Sequence, residues 1–261
     1  MNRKRGIIFL VILVLLFFAV NYWFLDDKLT GFVEEFDIRS VERVIDGDTI
    51  VVDNDTHVRL LGINTPEKGE KYYNEAKEFL EMVSLNKTVE LKYGSERYDR
   101  YGRVLAYIFI DDANVNKELV DEGYANFYFP SGKDVYYNSF VKAWEHCLKN
   151  NKYLCEKSDS VCAGCIELRK LDVEKQTVIL YNNCSFSCSL NVWTIKDEGR
   201  KKFIFEDFIL KANKQVSIVV GNKTNTENTL YWRDEEYVWT SSGDTLFLRD
   251  EEGKLVLWRS Y

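Results

Sequence analysis

Residues 46–67 read DGDTIVVDNDTHVRLLGINTPE, and the alternation within them sets the fold. Asp46-Gly47 is a turn signal between two short apolar runs, Ile38–Val44 before it and Thr49–Val52 after it. His57–Ile63 follows as a third alternating run, and Val89–Tyr93 and Val104–Phe109 add two more. Between these runs Ala76, Phe79, Leu80 and Val83 stand at i, i+3, i+4 and i+7, which places one apolar stripe on a helix. Asn116–Glu122 predicts a short helix stopped by Gly123, and Tyr137, Phe140, Val141, Trp144 and Leu148 mark another. Five short strands with few helices make an α+β fold, a small five-stranded barrel packed by helices.

The same stretch carries chemistry. Phosphodiester hydrolysis needs a base for water, cations for the charge that develops on phosphorus, and a fixed line of attack. Glu67 is the candidate base. Arg59 and Arg103 each offer a planar fork of donors that fits phosphate oxygens. Asp48, the side-chain oxygen of Asn64 and the carbonyl of Thr65 form an oxygen set suited to a hard cation, calcium before magnesium. Taken singly, Asp-Gly-Asp is usually a turn and a strand arginine a solvated face. Turn formation does not account for both arginines, the glutamate and the aspartate together. His57 and His146 are the only histidines, so a histidine-based metallonuclease is excluded.

In order and spacing, Asp46-Gly47-Asp48-Thr49, Val58 through Glu67, and Asp99-Arg100-Tyr101-Gly102-Arg103 with Leu105-Ala106-Tyr107 resemble the staphylococcal nuclease (thermonuclease) family. Asn116, Leu119, Val120 and Gly123-Tyr124-Ala125 extend the resemblance, which covers roughly residues 36–150. It implies an OB-fold barrel and a calcium-dependent endonuclease of DNA and RNA that leaves 3′-phosphate ends. Arg59 and Arg103 then match the catalytic arginines, Glu67 the general base, Asp48 and Thr65 calcium ligands, and Tyr101 a substrate-contacting tyrosine. Asn64 departs from the pattern, because the family's best-known members carry an aspartate there. An amide oxygen still coordinates calcium, with one unit less negative charge and a weaker expected affinity.

From Ser158 to Cys165 the chain turns polar and cysteine-containing, which sets a domain boundary: 36–157 before it, 158–261 after it. Beyond it the pattern is all β, with short strands at Val178–Leu180, Leu190–Ile195, Lys202–Phe205, Gln215–Val220, Thr245–Leu248 and Leu255–Trp258, spaced as in a β-sandwich. Leu190, Trp193-Thr194-Ile195, Asp197, Phe203, Phe205 and Val238 through Gly253 resemble the lamin-tail domain. That resemblance implies an immunoglobulin-like sandwich for attachment to a partner the sequence does not name. Trp193, Trp232, Trp239 and Trp258 are read as core and cross-strand residues in preference to base-stacking surfaces.

The six cysteines are Cys147, Cys155, Cys162, Cys165, Cys184 and Cys188. Cys162-x-x-Cys165 with Cys184-x-x-x-Cys188 has the spacing of a four-thiolate zinc site. An even count in an exported chain favours disulfides over zinc, with Cys147 and Cys155 as one expected bridge. Export is expected from the N-terminus. Residues 1–35 join a basic start, Arg3-Lys4-Arg5, to a charge-free run from Gly6 to Leu25 that is long enough to span a bilayer. Asp26-Asp27 follows, an asymmetry that sets the catalytic part outside the cytoplasm. The absence of small residues around a cut favours a retained transmembrane helix, with secretion as the outcome of cleavage.

The formal net charge is −7. That argues against a tight nucleic-acid binder and leaves room for a turnover enzyme whose site is locally positive. The expected protein is a monomeric, membrane-anchored nuclease acting on DNA and RNA. A surface protein that grips nucleic acid without cutting it is the alternative.

Overall fold

The computed structural model describes residues 37–261. Their first three strands are β1 (Asp37–Asp46), β2 (Thr49–Val52) and β3 (Thr56–Leu60), followed by the short β4 (Ile63–Asn64). Next come β5 (Thr88–Tyr98), β6 (Val104–Ile110), β7 (Ala113–Asn114) and β8 (Asn126–Phe127). The strand order β3-β2-β1-β5-β6, with a further pairing of β3 to β6, closes the sheet on itself. A closed ring removes the unpaired edges that an open sheet leaves.

Closure also aligns the site. Arg59 of β3 pairs with Thr49 of β2 on one side and, in parallel register, with Leu105 of β6 on the other. Arg103, just before β6, is thereby brought next to Thr49.

Two expected boundaries shift for steric reasons. The run His57–Ile63 is not one strand: it breaks after Leu60 into a turn at Leu61-Gly62. Gly62 takes φ +74, where a Cβ would also stand 3.1–3.2 Å from Tyr107, Phe129 and Phe140. Asn64 therefore sits on a separate two-residue strand paired with β8. Conversely β5 runs on past Tyr93, because at Gly94 an added Cβ would lie 2.8 Å from Leu61 Cδ1 and the absence of one lets the strand pass.

The expected helices form. Tyr73–Ser84 buries Ala76 and Leu80 and packs Phe79 and Val83 on the same core. Val115–Asp121 begins with Asn114 Oδ1 accepting from Lys117 N at 3.0 Å. Tyr137–Asn150 buries Phe140, Ala143, Trp144 and Cys147.

The C-terminal part is strand-rich, as expected: β9 (Ile166–Asp172), β10 (Thr177–Asn182), β11 (Cys188–Ser189), β12 (Thr194–Lys196), β13 (Lys202–Ile204), β14 (Ile209–Leu210), β15 (Gln215–Val220), β16 (Thr229–Trp232), β17 (Thr245–Arg249) and β18 (Leu255–Ser260). One sheet has the order β16-β15-β10-β9 and another β13-β12-β17-β18. Val178, Leu180, Val216 and Ile218 from the first share a core with Ile195, Leu246 and Leu248 from the second. Trp193, Trp232 and Trp239 are buried in that core, in line with the packing reading of the tryptophans.

The expected strand Leu190–Ile195 shrinks to β12. Its first half turns instead, with Trp193 N donating to the Leu190 carbonyl at 2.9 Å and Val192 at φ 67. β9 and β16 were not expected. Their apolar residues alternate with Glu, Arg, Lys and Tyr, and only pairing with β10 and β15 makes them strands.

The two parts share packing. Phe247 and Leu255, from β17 and β18, belong to the barrel's core cluster. Trp144 meets Phe247 and Trp258 edge-on, with ring centroids 5.5 and 6.2 Å apart. Such contacts add about 0.5–1.5 kcal/mol each beyond area burial. Residues Ile38–Tyr261 accordingly form one compact unit.

Disulfides join Cys147 to Cys155, Cys162 to Cys188 and Cys165 to Cys184. The Sγ atoms of Cys165, Cys184 and Cys188 lie within 4.8 Å of one another, which accounts for the zinc-like spacing. Pairing uses every cysteine, so no thiolate is left for a zinc ion. Among the described residues no helix is long and apolar enough to cross a membrane. The expected membrane helix lies outside the described residues.

Candidate active site

The site is built on a buried acid. Asp48 is 4% exposed and is the second residue of the β1–β2 turn. Its Oδ1 accepts from Thr49 Oγ1 at 3.1 Å. Its Oδ2 accepts from Thr65 N at 3.2 Å and Thr65 Oγ1 at 3.1 Å, and pairs with Arg59 Nη2 at 3.0 Å. Arg59 is 7% exposed, and it also donates to backbone, Nη1 to the Leu60 carbonyl and Nη2 to the Ile63 carbonyl at 2.9 Å. A buried guanidinium with this many acceptors is fixed in one orientation.

Arg103 joins the same network from the other side, with Nη1 donating to Thr49 Oγ1 at 3.4 Å. Its Nε pairs with Asp99 Oδ2 at 2.7 Å. Burial alone would raise the Asp99 carboxyl, but the backbone and side-chain bonds from Arg103 outweigh it and hold Asp99 low and charged. Arg103, Thr49, Asp48 and Arg59 thus form one continuous chain of contacts.

Tyr101 is exposed, with Arg103 over its ring at 5.6 Å and Arg100 at 4.8 Å. Beside it a cavity of about 480 Å³ is lined by Tyr98, Tyr101, Gly102, Arg103 and His57.

The proposed cation ligands converge. Asp48 Oδ2 and Asn64 Oδ1 face the same Arg59 Nη2, at 3.0 and 3.4 Å. The Asn64 amide nitrogen points the other way, donating to the Gly199 carbonyl at 2.6 Å. That bond fixes which end of the amide faces Asp48. The point on which these two oxygens converge is taken by the Arg59 guanidinium; as donors, a carboxylate and an amide oxygen are of the type a hard cation uses, at the low charge of a single carboxylate.

Glu67 stands apart from this network. Among the described residues no hydrogen bond joins its carboxylate to Asp48, Arg59 or Arg103; its ion-pair partner is Arg200, with Nε 2.7 Å from Oε1. Arg200 lies in the turn between β12 and β13, where sequence reasoning had not looked. The base of this hairpin is tied to Glu70, whose oxygens meet Lys196 at 3.2 Å and Lys202 at 2.7 Å. Glu70 Oε2 also accepts from Glu67 N at 3.0 Å. Burial would raise Glu70, but Lys196 and Lys202 prevail and pull it down to about 2.

Under the hairpin tip the balance reverses. Burial, and then repulsion from Asp244, push Asp197 and Glu198 each up to about 7. Glu198 is held by Phe129 N at 3.3 Å and Thr245 Oγ1 at 3.2 Å. Glu198, Gly199 and Arg200 carry no local sequence signal for this contact, since they meet Phe129, Asn64 and Glu67 only through the packing of the two parts.

Residues 57–154 match the family model described as staphylococcal nuclease homologue, and residues 163–261 match the Lamin Tail Domain. The two matches follow one another along the chain, and each spans less than half of it. It is 41% identical over 104 residues to the thermonuclease of Staphylococcus intermedius, covering 36% of this chain and 62% of the relative. It is 40% identical over 104 residues to that of Staphylococcus hyicus, with the same coverage. Against endonuclease YhcR of Bacillus subtilis identity is 32% over 148 residues, covering 49% of this chain and 12% of that protein. The chain thus spans about three-fifths of the length of these thermonucleases.

Proposed function

We propose that the protein is a calcium-dependent endonuclease that hydrolyses phosphodiester bonds of DNA and RNA. The observation that carries this reading is the continuous network from Arg103 through Thr49 and Asp48 to Arg59, which ties two guanidiniums together, one on β3 and one just before β6. Glu67 takes a proton from water as the oxygen attacks phosphorus. The P–O5′ bond breaks, the leaving O5′ takes a proton from solvent water, and the products carry a 3′-phosphate and a 5′-hydroxyl. Arg59 and Arg103 neutralise the charge that builds on the phosphoryl oxygens. Tyr101 and the cavity beside it receive the neighbouring part of the strand. Asp48, Asn64 and the Thr65 carbonyl are the residues that would hold calcium, which when bound polarises a phosphoryl oxygen.

The family likeness to the thermonucleases supports the activity, and the disulfides support an oxidising location. We place the catalytic part outside the cytoplasm, held by the N-terminal segment and secreted where that segment is cleaved. The division into 36–157 and 158–261 and an immunoglobulin-like sandwich for the second part belong to the same reading, as does a monomeric state.

The full chain is expected to digest single-stranded DNA with calcium and to stop on chelation. Glu67→Gln or Arg103→Ala is expected to lower the rate by about a hundredfold or more. Gel assays of product ends check the cleavage site. Equal inertness of wild type and Glu67→Gln across calcium, magnesium and manganese would sink the enzyme reading in favour of a binding protein.

A further inference from the structure

The β12–β13 hairpin of the lamin-tail part is fastened to the candidate site at three places. Glu70 holds Lys196 and Lys202 at its base, Asn64 holds the Gly199 carbonyl at its tip, and Arg200 reaches Glu67. Arg200 is 56% exposed and Glu67 45%, so their pair lies at the open surface of the site. Among the described residues Glu67 is the sole hydrogen-bonding or ion-pairing partner of Arg200, and it engages Nε alone.

We propose that Arg200 is a third phosphate-binding arginine of the nuclease site, supplied by the lamin-tail domain. Its Nε holds Oε1 of Glu67 while Nη1 and Nη2 take a phosphate oxygen of the bound strand. The inference rests on the nuclease reading for its chemistry but not for its contact.

Three physical arguments carry it. A guanidinium presents donors on two edges, so one arginine can serve a carboxylate and a phosphate at once. The chain's net charge is −7, and Lys196, Lys201 and Lys202 of the same hairpin are neutralised by Glu70 and Glu235. Arg200 is the hairpin cation whose partner changes charge during the reaction. When Glu67 accepts the proton of the attacking water it becomes neutral, and the attraction of Arg200 turns to the oxygens on which negative charge is building. Such an interaction is stronger in the transition state than in the ground state.

The test uses the full chain with Arg200→Ala, Arg200→Lys and, as a control of equal charge change in the same hairpin, Lys201→Ala. Cleavage kinetics are read as kcat and KM. Binding is read by anisotropy of a fluorescein-labelled single-stranded oligodeoxynucleotide in chelator, with melting curves to verify folding. Arg200→Ala is expected to lower kcat/KM about 10- to 100-fold, most of it in kcat, and to weaken oligonucleotide binding severalfold. Arg200→Lys is expected to recover only part, because one ammonium lacks the second edge, and Lys201→Ala to match wild type.

Wild-type kcat/KM and binding in a folded Arg200→Ala would overturn the proposal. A faster Arg200→Ala would also overturn it, since Arg200 would then be a latch on Glu67. If wild type does not cleave, the nuclease reading fails by itself, and the contact is judged by binding: lost affinity in Arg200→Ala upholds it, unchanged affinity ends it.

Discussion

Arg59 and Arg103 serve the same proposed chemistry from opposite environments. Arg59 is sealed between β2 and β6 with its donors committed to Asp48 and to backbone carbonyls. Arg103 is half-buried, leans on Asp99 and borders the Tyr101 cavity. The difference teaches that one arginine belongs to the fold as much as to the site, while the other belongs almost wholly to the site. An inactive variant at Arg59 is therefore weak evidence for catalysis, and one at Arg103 is stronger.

The largest expected effect breaks that comparison directly. Arg59→Ala leaves Asp48 buried without its counter-charge, which typically costs about 3–5 kcal/mol. Arg103→Ala removes a pair 23% and 16% exposed, whose remaining carboxylate can be reached by water, and is expected to cost less than the Arg59 change. Urea denaturation of both variants checks the ratio; equal destabilisation would show that Arg59 is no more structural than Arg103.

A second test concerns the acids beneath the hairpin tip. Asp197 and Glu198 are raised to about 7 in the folded protein from values of 3.8 and 4.5. The folded state then binds more protons than the unfolded one between about pH 4 and 7, so stability falls as pH rises through this window. Asp197→Asn removes part of that loss. It is expected to raise stability at pH 8 by about 1–4 kcal/mol and to flatten the decline, measured by melts across pH 4 to 8. A wild-type slope in Asp197→Asn would place the charge burden elsewhere.

The third and smallest effect sharpens the role of Asn64. Asn64→Asp sets a carboxylate against the Gly199 carbonyl, now 2.6 Å from the amide nitrogen. It is expected to cost about 1–3 kcal/mol without metal. The added charge is also expected to tighten calcium binding, so that calcium restores more stability to the variant than to wild type. Thermal melts with calcium and with chelator check this. No cost in chelator would show that the hairpin does not depend on the amide.

Much of the site was legible early because its residues are local. Asp48, Arg59, Thr65 and Glu67 lie within one stretch of short strands, and the register that joins Arg59 to Thr49 follows from the turn at Asp53-Asn54-Asp55 between β2 and β3. Cys147 and Cys155 were legible for the same reason, being separated by 8 positions. What was not legible is whatever depends on non-local geometry. Gly62 breaks a strand whose side chains alternate correctly through Ile63, since the limit is set by Tyr107, Phe129 and Phe140 from other elements. Asn64 read as a weakened metal ligand, and nothing nearby in the chain told of Gly199.

By itself, then, the sequence determined the small barrel and the strand-rich second part, and it singled out Arg59, Glu67 and Arg103 as candidates, because alternation, turn chemistry and short-range spacing act within a few residues. Only the tertiary structure decided that Arg200 pairs with Glu67 and that Asn64 holds the Gly199 carbonyl. Those contacts join residues more than a hundred positions apart. They exist because Trp144, Phe247 and Trp258 pack the two parts into one unit, and packing of that kind leaves no pattern in the local order of residues.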